Sequence, residues 1–402
     1  MRTKIVFAAG ETRSFERASI VVERIGGTAI SDDTIQRVVG EIGLELAERR
    51  DADPNSEDAL ARRPAEPPAM AVVECDGGRI RARAPGKGRG VHLSGESGWR
   101  ETKNACLVNA MGKAFDSDPQ PEPPRCFLDP THVAQIAQTE TLSVAAPPAA
   151  RKDQAGDEED EGAKPAEDWR PKRRVRTVLA SMKGAREFGR QMQREAKRRR
   201  FYGATVKAFL GDGLPWNWSI WREFFPSFTP ILDFIHPLSY LFLAAKTVHA
   251  NSPEDAWSQY TAWMRGCWQG EVGQVIEELH VHQKKLGEPP AGVPDTDPRK
   301  IIATTLGYLE NNRERMNYPR YRQAGLPVTT AWMESLVKEM NHRVKGTEMF
   351  WNDPDGAEAI LQVRAAVLSE DDRLARHLRQ RLGSPFSKRP KPPKVTSEIC
   401  KP

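Results

Sequence analysis

The chain has 402 residues, of which 39% are hydrophobic and 29% charged, and its net charge is +5. That length accommodates two or three domains, and that composition excludes a wholly disordered chain. Five cysteines, an odd number without a C-x-x-C pair, exclude a disulfide framework or zinc ribbon and fit a reducing cytosol.

The first fifty residues read as helical. Ser14–Ile25 is followed by Gly26-Gly27, and Ser31-Asp32-Asp33-Thr34 opens a second helix. Ile35, Val38, Val39, Ile42 and Leu46 then recur at helical spacing as one apolar stripe. Helix, glycine turn and polar-capped helix is the layout of a helix-turn-helix, which would bring Thr34, Gln36 and Arg37 near DNA bases or phosphates. An ordinary helical hairpin has the same pattern. Residues 56–69 read as a linker. Met70–Asp76 is an apolar strand ending in a carboxylate, Gly77-Gly78 reads as a hairpin turn, and Arg79–Arg83 alternates as its partner strand. Gly86-Lys87-Gly88-Arg89-Gly90 lacks the phosphate-loop spacing and reads as a mobile basic loop. Trp99–Val108 supplies a third strand.

Residues 112–170 are expected to be a flexible insertion: Asp116–Arg125 is Pro- and acid-rich, and an acid run lies at Asp157–Glu161. Val175–Ala180 reads as a strand, and Lys183–Arg200 as a strongly basic helix. Val206–Leu210 and Pro230–Leu232 are two short buried strands that end in Gly211-Asp212-Gly213 and Asp233-Phe234-Ile235-His236. The apolar window Thr229–Val248 is broken by Asp233, His236, Pro237 and Lys246, so it does not read as a membrane span. Residues 251–325 read as an all-helical insertion. Its Trp257, Trp263 and Trp268 suit either a core or a base-stacking platform. A helix from about Thr329 buries Met333, Leu336, Val337, Met340 and Val344, and lines up Glu334, Lys338, Asn341 and Lys345 on one flank. Two closing helices fill residues 353–383, the second capped by Ser369. Residues 384–402 form a basic tail.

The three early strands, a later strand and a late helix are the parts of an RNase H-like core: a mixed sheet flanked by helices, assembled from residues 70–111, 171–250 and 326–352. In that α/β layout Asp76, Asp212 and Glu334 occupy three places where carboxylates converge. Three carboxylates suit two Mg²⁺ or Mn²⁺ ions about 4 Å apart, one to activate a water or 3′-hydroxyl and one to stabilise the leaving oxygen. Lys338, Lys345 and the basic helix, with Lys183, Arg198, Arg199 and Arg200, would hold the polyanionic strand. Asn341 would orient a phosphate. Each acid also has a plainer reading: Asp76 and Asp212 as turn residues, Glu334 as an ion-pair partner of Lys338, and His236 as a core histidine.

The runs VECDGGRI, WRETKNA, LGDGLPWNWSIWREFFP, LDFIHPLSYLF and ESLVKEMNHRVKGTEMFWNDP resemble bacterial insertion-sequence transposases of the ISKra type, distantly Mutator-like. The resemblance runs from about residue 1 to Pro385. It implies a DDE transposase acting on double-stranded DNA, at terminal inverted repeats and target, as a homo-oligomer in a bacterial, nucleoid-associated cytoplasmic setting without a membrane. It assigns Asp76, Asp212 and Glu334 as the catalytic and metal-holding acids. Asp233 and His236 match a supporting Asp/Cys-x-x-His element. Such transposases usually carry more residues before the helix-turn-helix, so the chain reads as an N-terminally truncated copy. The alternatives are a non-catalytic DNA-binding protein derived from such an enzyme and an RNase H-like nuclease without end specificity.

Overall fold

The computed structural model describes residues 1–51, 66–83, 98–145, 169–345, 350–351 and 354–381. The basic loop at Gly86–Gly90, the acid run at Asp157–Glu161 and the tail from residue 384 lie outside the described residues. Among those described, no helix is long and apolar enough to cross a membrane.

The expected α/β class and mixed sheet are borne out. Five strands, β1 (Met70–Arg81), β2 (Trp99–Met111), β3 (Lys172–Ser181), β4 (Val206–Gly211) and β5 (Thr229–Leu232), form one sheet in the order β3-β2-β1-β4-β5. The first three are antiparallel neighbours, and β4 and β5 run parallel to β1. Val72, Val73, Leu107, Val108, Phe209 and Leu210 are all fully buried, as near-continuous apolar runs require when both sheet faces are covered.

One expectation about β1 fails. Gly77-Gly78 is not a hairpin turn, because β1 runs straight through it and pairs Gly77 with Lys103 and Gly78 with Thr102. The alternation of Arg79-Ile80-Arg81 continues the same strand rather than starting a partner. Gly78 serves close approach, since a Cβ there would stand 2.7 Å from the Thr102 hydroxyl oxygen. Asp76 is therefore inside a long strand. It still lies just past the last β1–β4 pair, Glu74 with Leu210, and so at the carboxyl end of the parallel part of the sheet.

Three helices precede the sheet: α1 (Arg2–Glu11), α2 (Phe15–Gly26) and α3 (Asp32–Asp51). Ser14 caps α2 by accepting the Arg17 N–H at 3.1 Å. Ile35, Val38, Val39 and Ile42 of α3 are buried against the C-terminal helices. Arg343 Nε donates to the Ala9 carbonyl at 2.6 Å and Arg364 Nη1 to Gly10 at 2.8 Å, placing two cations at the carbonyl end of α1.

The segment after β2 departs from the expected flexible insertion. Asp118 accepts from the fully buried Arg322, Gln120 accepts the Trp268 and Trp169 indole N–H groups, and α4 (Pro130–Ala145) follows. Asp118 and Gln120 find their partners 204 and 148 residues further along the chain, which composition does not disclose. Helices α5 (Ala185–Arg198), α6 (Pro215–Phe224) and α7 (Ile235–Val248) alternate with the later strands. Then come α8 (Pro253–Trp268), α9 (Val272–Leu286), α10 (Pro298–Asn312) and α11 (Tyr318–Gln323). Trp263 and Trp268 are core residues, each 1% exposed, which favours packing over base stacking. The chain closes with α12 (Ala331–Val344), α13 (Pro354–Leu368) and α14 (Arg373–Gln380).

Edge strand β3 is covered rather than open. Val178 N–H donates to Ser369 Oγ at 3.0 Å, Arg176 N–H to Glu370 at 2.7 Å, and Gln362 Nε2 to the Ala180 carbonyl at 2.7 Å. Ser369 therefore does not cap the last helix as expected. Asp372 precedes it, in the left-handed region at φ 54.

Candidate active site

The carboxyl ends of three adjacent parallel strands carry one acid each: Asp76 on β1, Asp212 after β4 and Asp233 after β5. This is the edge at which open α/β sheets place ligands. Asp76 is half-buried opposite Asn104. Burial and then the nearby Asp212 carboxylate push its carboxyl up to about 7, an effect that His236 partly offsets. The two acids are close enough to repel each other.

The Asp212 carboxylate accepts the Leu214 N–H at 2.9 Å and the side-chain amide of Asn217, which is fully buried. Its backbone carbonyl accepts the Tyr308 hydroxyl at 2.8 Å, so α10 holds this turn. Gly213 follows at φ +96, a backbone conformation that L side chains rarely adopt, with the Tyr308 ring packed over it.

Asp233 is fully buried and plays a different part. Its carboxylate accepts the Thr330 hydroxyl and the Ile235 N–H at 3.2 Å, and lies 3.6 Å from His236 Nε2. Thr330 is the residue before α12, so Asp233 fastens the end of β5 to the start of the helix that bears Glu334. Burial pushes the Asp233 carboxyl up, and His236 holds it partly down.

Glu334 is exposed in the first turn of α12. Lys338 is exposed and Asn341 half-exposed further along the helix, while Lys345 packs its ammonium 5.6 Å from the Trp99 ring centroid. The predicted DNA contacts are spread out. Gln36 and Arg37 are exposed on α3, while the Thr34 hydroxyl accepts from Ser31. Lys183 lies 3.8 Å from Glu187 and Arg200 is exposed. Arg198 and Arg199 face inward, paired with Glu195 at 3.1 and 2.9 Å.

Sequence reasoning missed Glu74. It shares a face of β1 with Asp76, is 0% exposed, and neither carboxylate oxygen has a partner of hydrogen-bond geometry, although the Met333 N–H of α12 slightly favours the charged form. Burial and then the Asp233 carboxylate, with Glu334 adding to it, hold this carboxyl well above the usual range. A charge two residues before Asp76, inside an apolar run, was the available signal. Tyr308 and Thr330 were missed because contacts across 96 and 97 residues leave no local pattern, whereas Asn217 lies only five residues beyond Asp212.

The raised Glu74 carboxyl has a direct consequence. Its folded state stays protonated where the unfolded chain ionises, so stability is full below the ordinary carboxyl range and falls as pH rises toward the folded value. Glu74→Gln is expected to be more stable than the parent by on the order of 1–3 kcal/mol at about pH 8, with the gap closing near about pH 4. Thermal melts across that range check it, and a variant less stable at the alkaline end would contradict it.

The donor set suits a hard divalent cation: carboxylate oxygens that repel one another, beside a deeply buried third acid. Among the described residues no three His, Cys, Asp or Glu side chains stand together closely enough to hold an ion. Asp76 and Asp212 thus stand as a pair, while Glu334 acts on the buried Glu74. A scan against protein-family models matches none, and no curated protein matches the chain.

Proposed function

We propose that the chain is a DDE transposase with an RNase H-like core, acting on the ends of an insertion sequence. The observation that carries this reading is the juxtaposition of Asp76 and Asp212 on neighbouring parallel strands, with the Glu334 helix fastened to the next strand through Asp233 and Thr330. The strand order and directions agree with it, as do the motif runs around each acid.

In this reading Asp76, Asp212 and Glu334 would hold two Mg²⁺ or Mn²⁺ ions. When bound, these would supply Lewis-acid activation of a water or 3′-hydroxyl and charge stabilisation at the scissile phosphodiester. The protein's own groups do the rest. Asn217 and the Leu214 N–H fix the orientation of Asp212, and Tyr308 holds its backbone. His236, 29% exposed beside Asp233, is placed to exchange a proton with solvent near the acids. Lys338 and Asn341 offer contacts to a phosphate backbone along one flank of α12, and Lys345 offers one from the extended residue just past its end. The partner is double-stranded DNA, and the setting is a bacterial cytoplasm.

A strand-transfer assay tests this function. Oligonucleotides with the sequences that bracket the gene, ending in a free 3′-hydroxyl, are incubated with plasmid and Mg²⁺. Covalent joining is expected, with a loss of at least about 10³-fold in Glu334→Gln. Cleavage without joining would point to a nuclease. Binding with neither would favour the non-catalytic DNA-binding reading, to which the position of Glu334 outside the acid pair gives some weight.

A further inference from the structure

A second feature lies at the opposite edge of the sheet. A cavity of about 90 Å³ opens beside Val178 and Leu179 of β3, enclosed by α3, α5, α13 and α14. It has room for several waters or for one tetrahedral anion. Its charged lining is lopsided: Arg49, Arg50, Arg194, Arg198 and Arg373 face a single carboxylate, Glu195.

The carboxylates of the surrounding network are shared. Glu195, 5% exposed, takes Arg198 at 3.1 Å, Arg199 at 2.9 Å and Arg373 at 2.9 Å. Asp51 takes Arg50 at 2.8 Å and Arg194 at 3.8 Å. Asp51, Glu358 and Asp371 pair with these arginines from outside the cavity wall. On the His377 side, Glu41 and Glu45 are taken up by Arg381. Each guanidinium has five N–H donors, so donors outnumber acceptors around the space. Arg198 Nε is buried there with no hydrogen-bond partner. Arg49, half-exposed, has no carboxylate partner among the described residues. The excess positive charge also reaches His377, which burial and then Arg49 hold below its ordinary range despite Glu45 at 3.0 Å.

We propose that this cavity is a binding site for a phosphoryl group, with Arg49, Arg198 and Arg373 as its principal donors. The fit is chemical: guanidinium forks match tetrahedral oxyanions bidentately, and buried donors without acceptors are costly until such a group satisfies them. The same chemistry is presented by free inorganic phosphate and by the backbone of DNA. The proposal does not rest on the catalytic reading, because the acids lie on other strands of the sheet and take no part in it.

The test is titration of inorganic phosphate into the full chain at constant ionic strength, followed by calorimetry and by ³¹P line broadening. Saturable binding at one site is expected. The affinity should weaken at least ~5-fold in Arg49→Glu and less in Arg49→Ala. Both variants should melt close to the parent without phosphate, since Arg49 is half-exposed and its loss breaks no ion pair among the described residues. No saturable binding would overturn the proposal. So would equal affinity in parent and both variants, or a rise in melting temperature shared by all three, which is the general effect of an excluded salt. A duplex of arbitrary sequence distinguishes the sources. Duplex affinity reduced in Arg49→Glu in parallel with phosphate affinity assigns the site to the DNA backbone. Unchanged duplex affinity with reduced phosphate affinity assigns it to the free anion.

Discussion

Replacing Asp76 with Asn is expected to stabilise the metal-free protein while removing DNA cleavage and joining. Burial and the Asp212 carboxylate raise the Asp76 carboxyl to about 7, so the parent binds this proton more tightly when folded than when unfolded. A group raised in this way contributes its full stability below its unfolded value, and that contribution is lost as pH rises through about 7. The Asn side chain has nothing to ionise. A gain on the order of 1–3 kcal/mol is expected at about pH 8, reduced where residual exposure screens the repulsion, and none near about pH 3. Activity is expected to fall by about 10³-fold or more, because the amide lacks the charge that a cation needs. Mg²⁺ should invert the comparison. At a concentration of about 100 times its dissociation constant it stabilises the parent by about 2.7 kcal/mol and leaves the variant unmoved. Paired melts with and without Mg²⁺, beside cleavage rates, check both halves. A variant that is less stable without metal would remove the electrostatic argument.

The largest structural effect is expected at Arg322. This guanidinium is 0% exposed, pairs side-on with Asp118 through Nε and Nη2, donates to the Trp268 carbonyl at 3.0 Å, and lies 4.1 Å from the Trp268 ring centroid. It joins α11 to the segment after β2 and to the tryptophan core of α8. Arg322→Ala removes packing, a cation over an aromatic face and the partner of a mostly buried carboxylate. A loss of about 3–5 kcal/mol in urea unfolding is expected. Asp118→Asn should cost less, because the cation keeps its carbonyl and ring contacts. Similar, small losses in both variants would show that the pair is not a strut of the fold.

Much of the sheet was legible because apolar runs closed by glycine or acid are local. Val206–Leu210 and Pro230–Leu232 sit within β4 and β5, and the stripe Ile35, Val38, Val39 and Ile42 is the buried side of α3. Gly77-Gly78 misled because a glycine pair in a turn and a glycine pair facing Thr102 have the same sequence. The segment Asp116–Arg125 misled because its order comes from Arg322 and Trp268, far along the chain. The acids at strand ends were legible as positions, the last of them Asp233. Its bond to Thr330 was not, nor was the Tyr308 hydroxyl on the Asp212 backbone. Glu74 was visible as an isolated charge in an apolar strand, but its burial without partners emerges only once α12 is laid across β1.

In the proposed function the Asp76–Asp212 edge, with Glu334, takes up divalent metal for work on DNA. Titration of Mn²⁺ in the presence of duplex end sequence, with the free ion followed by electron paramagnetic resonance, measures that uptake. Saturable uptake by the parent is expected, rising as pH passes about 7 because Asp76 must release its proton. Uptake should be lost in Asp76→Asn and Asp212→Asn and weakened in Glu334→Gln. Equal uptake by the parent and the two Asp variants would place the metal elsewhere and contradict the account.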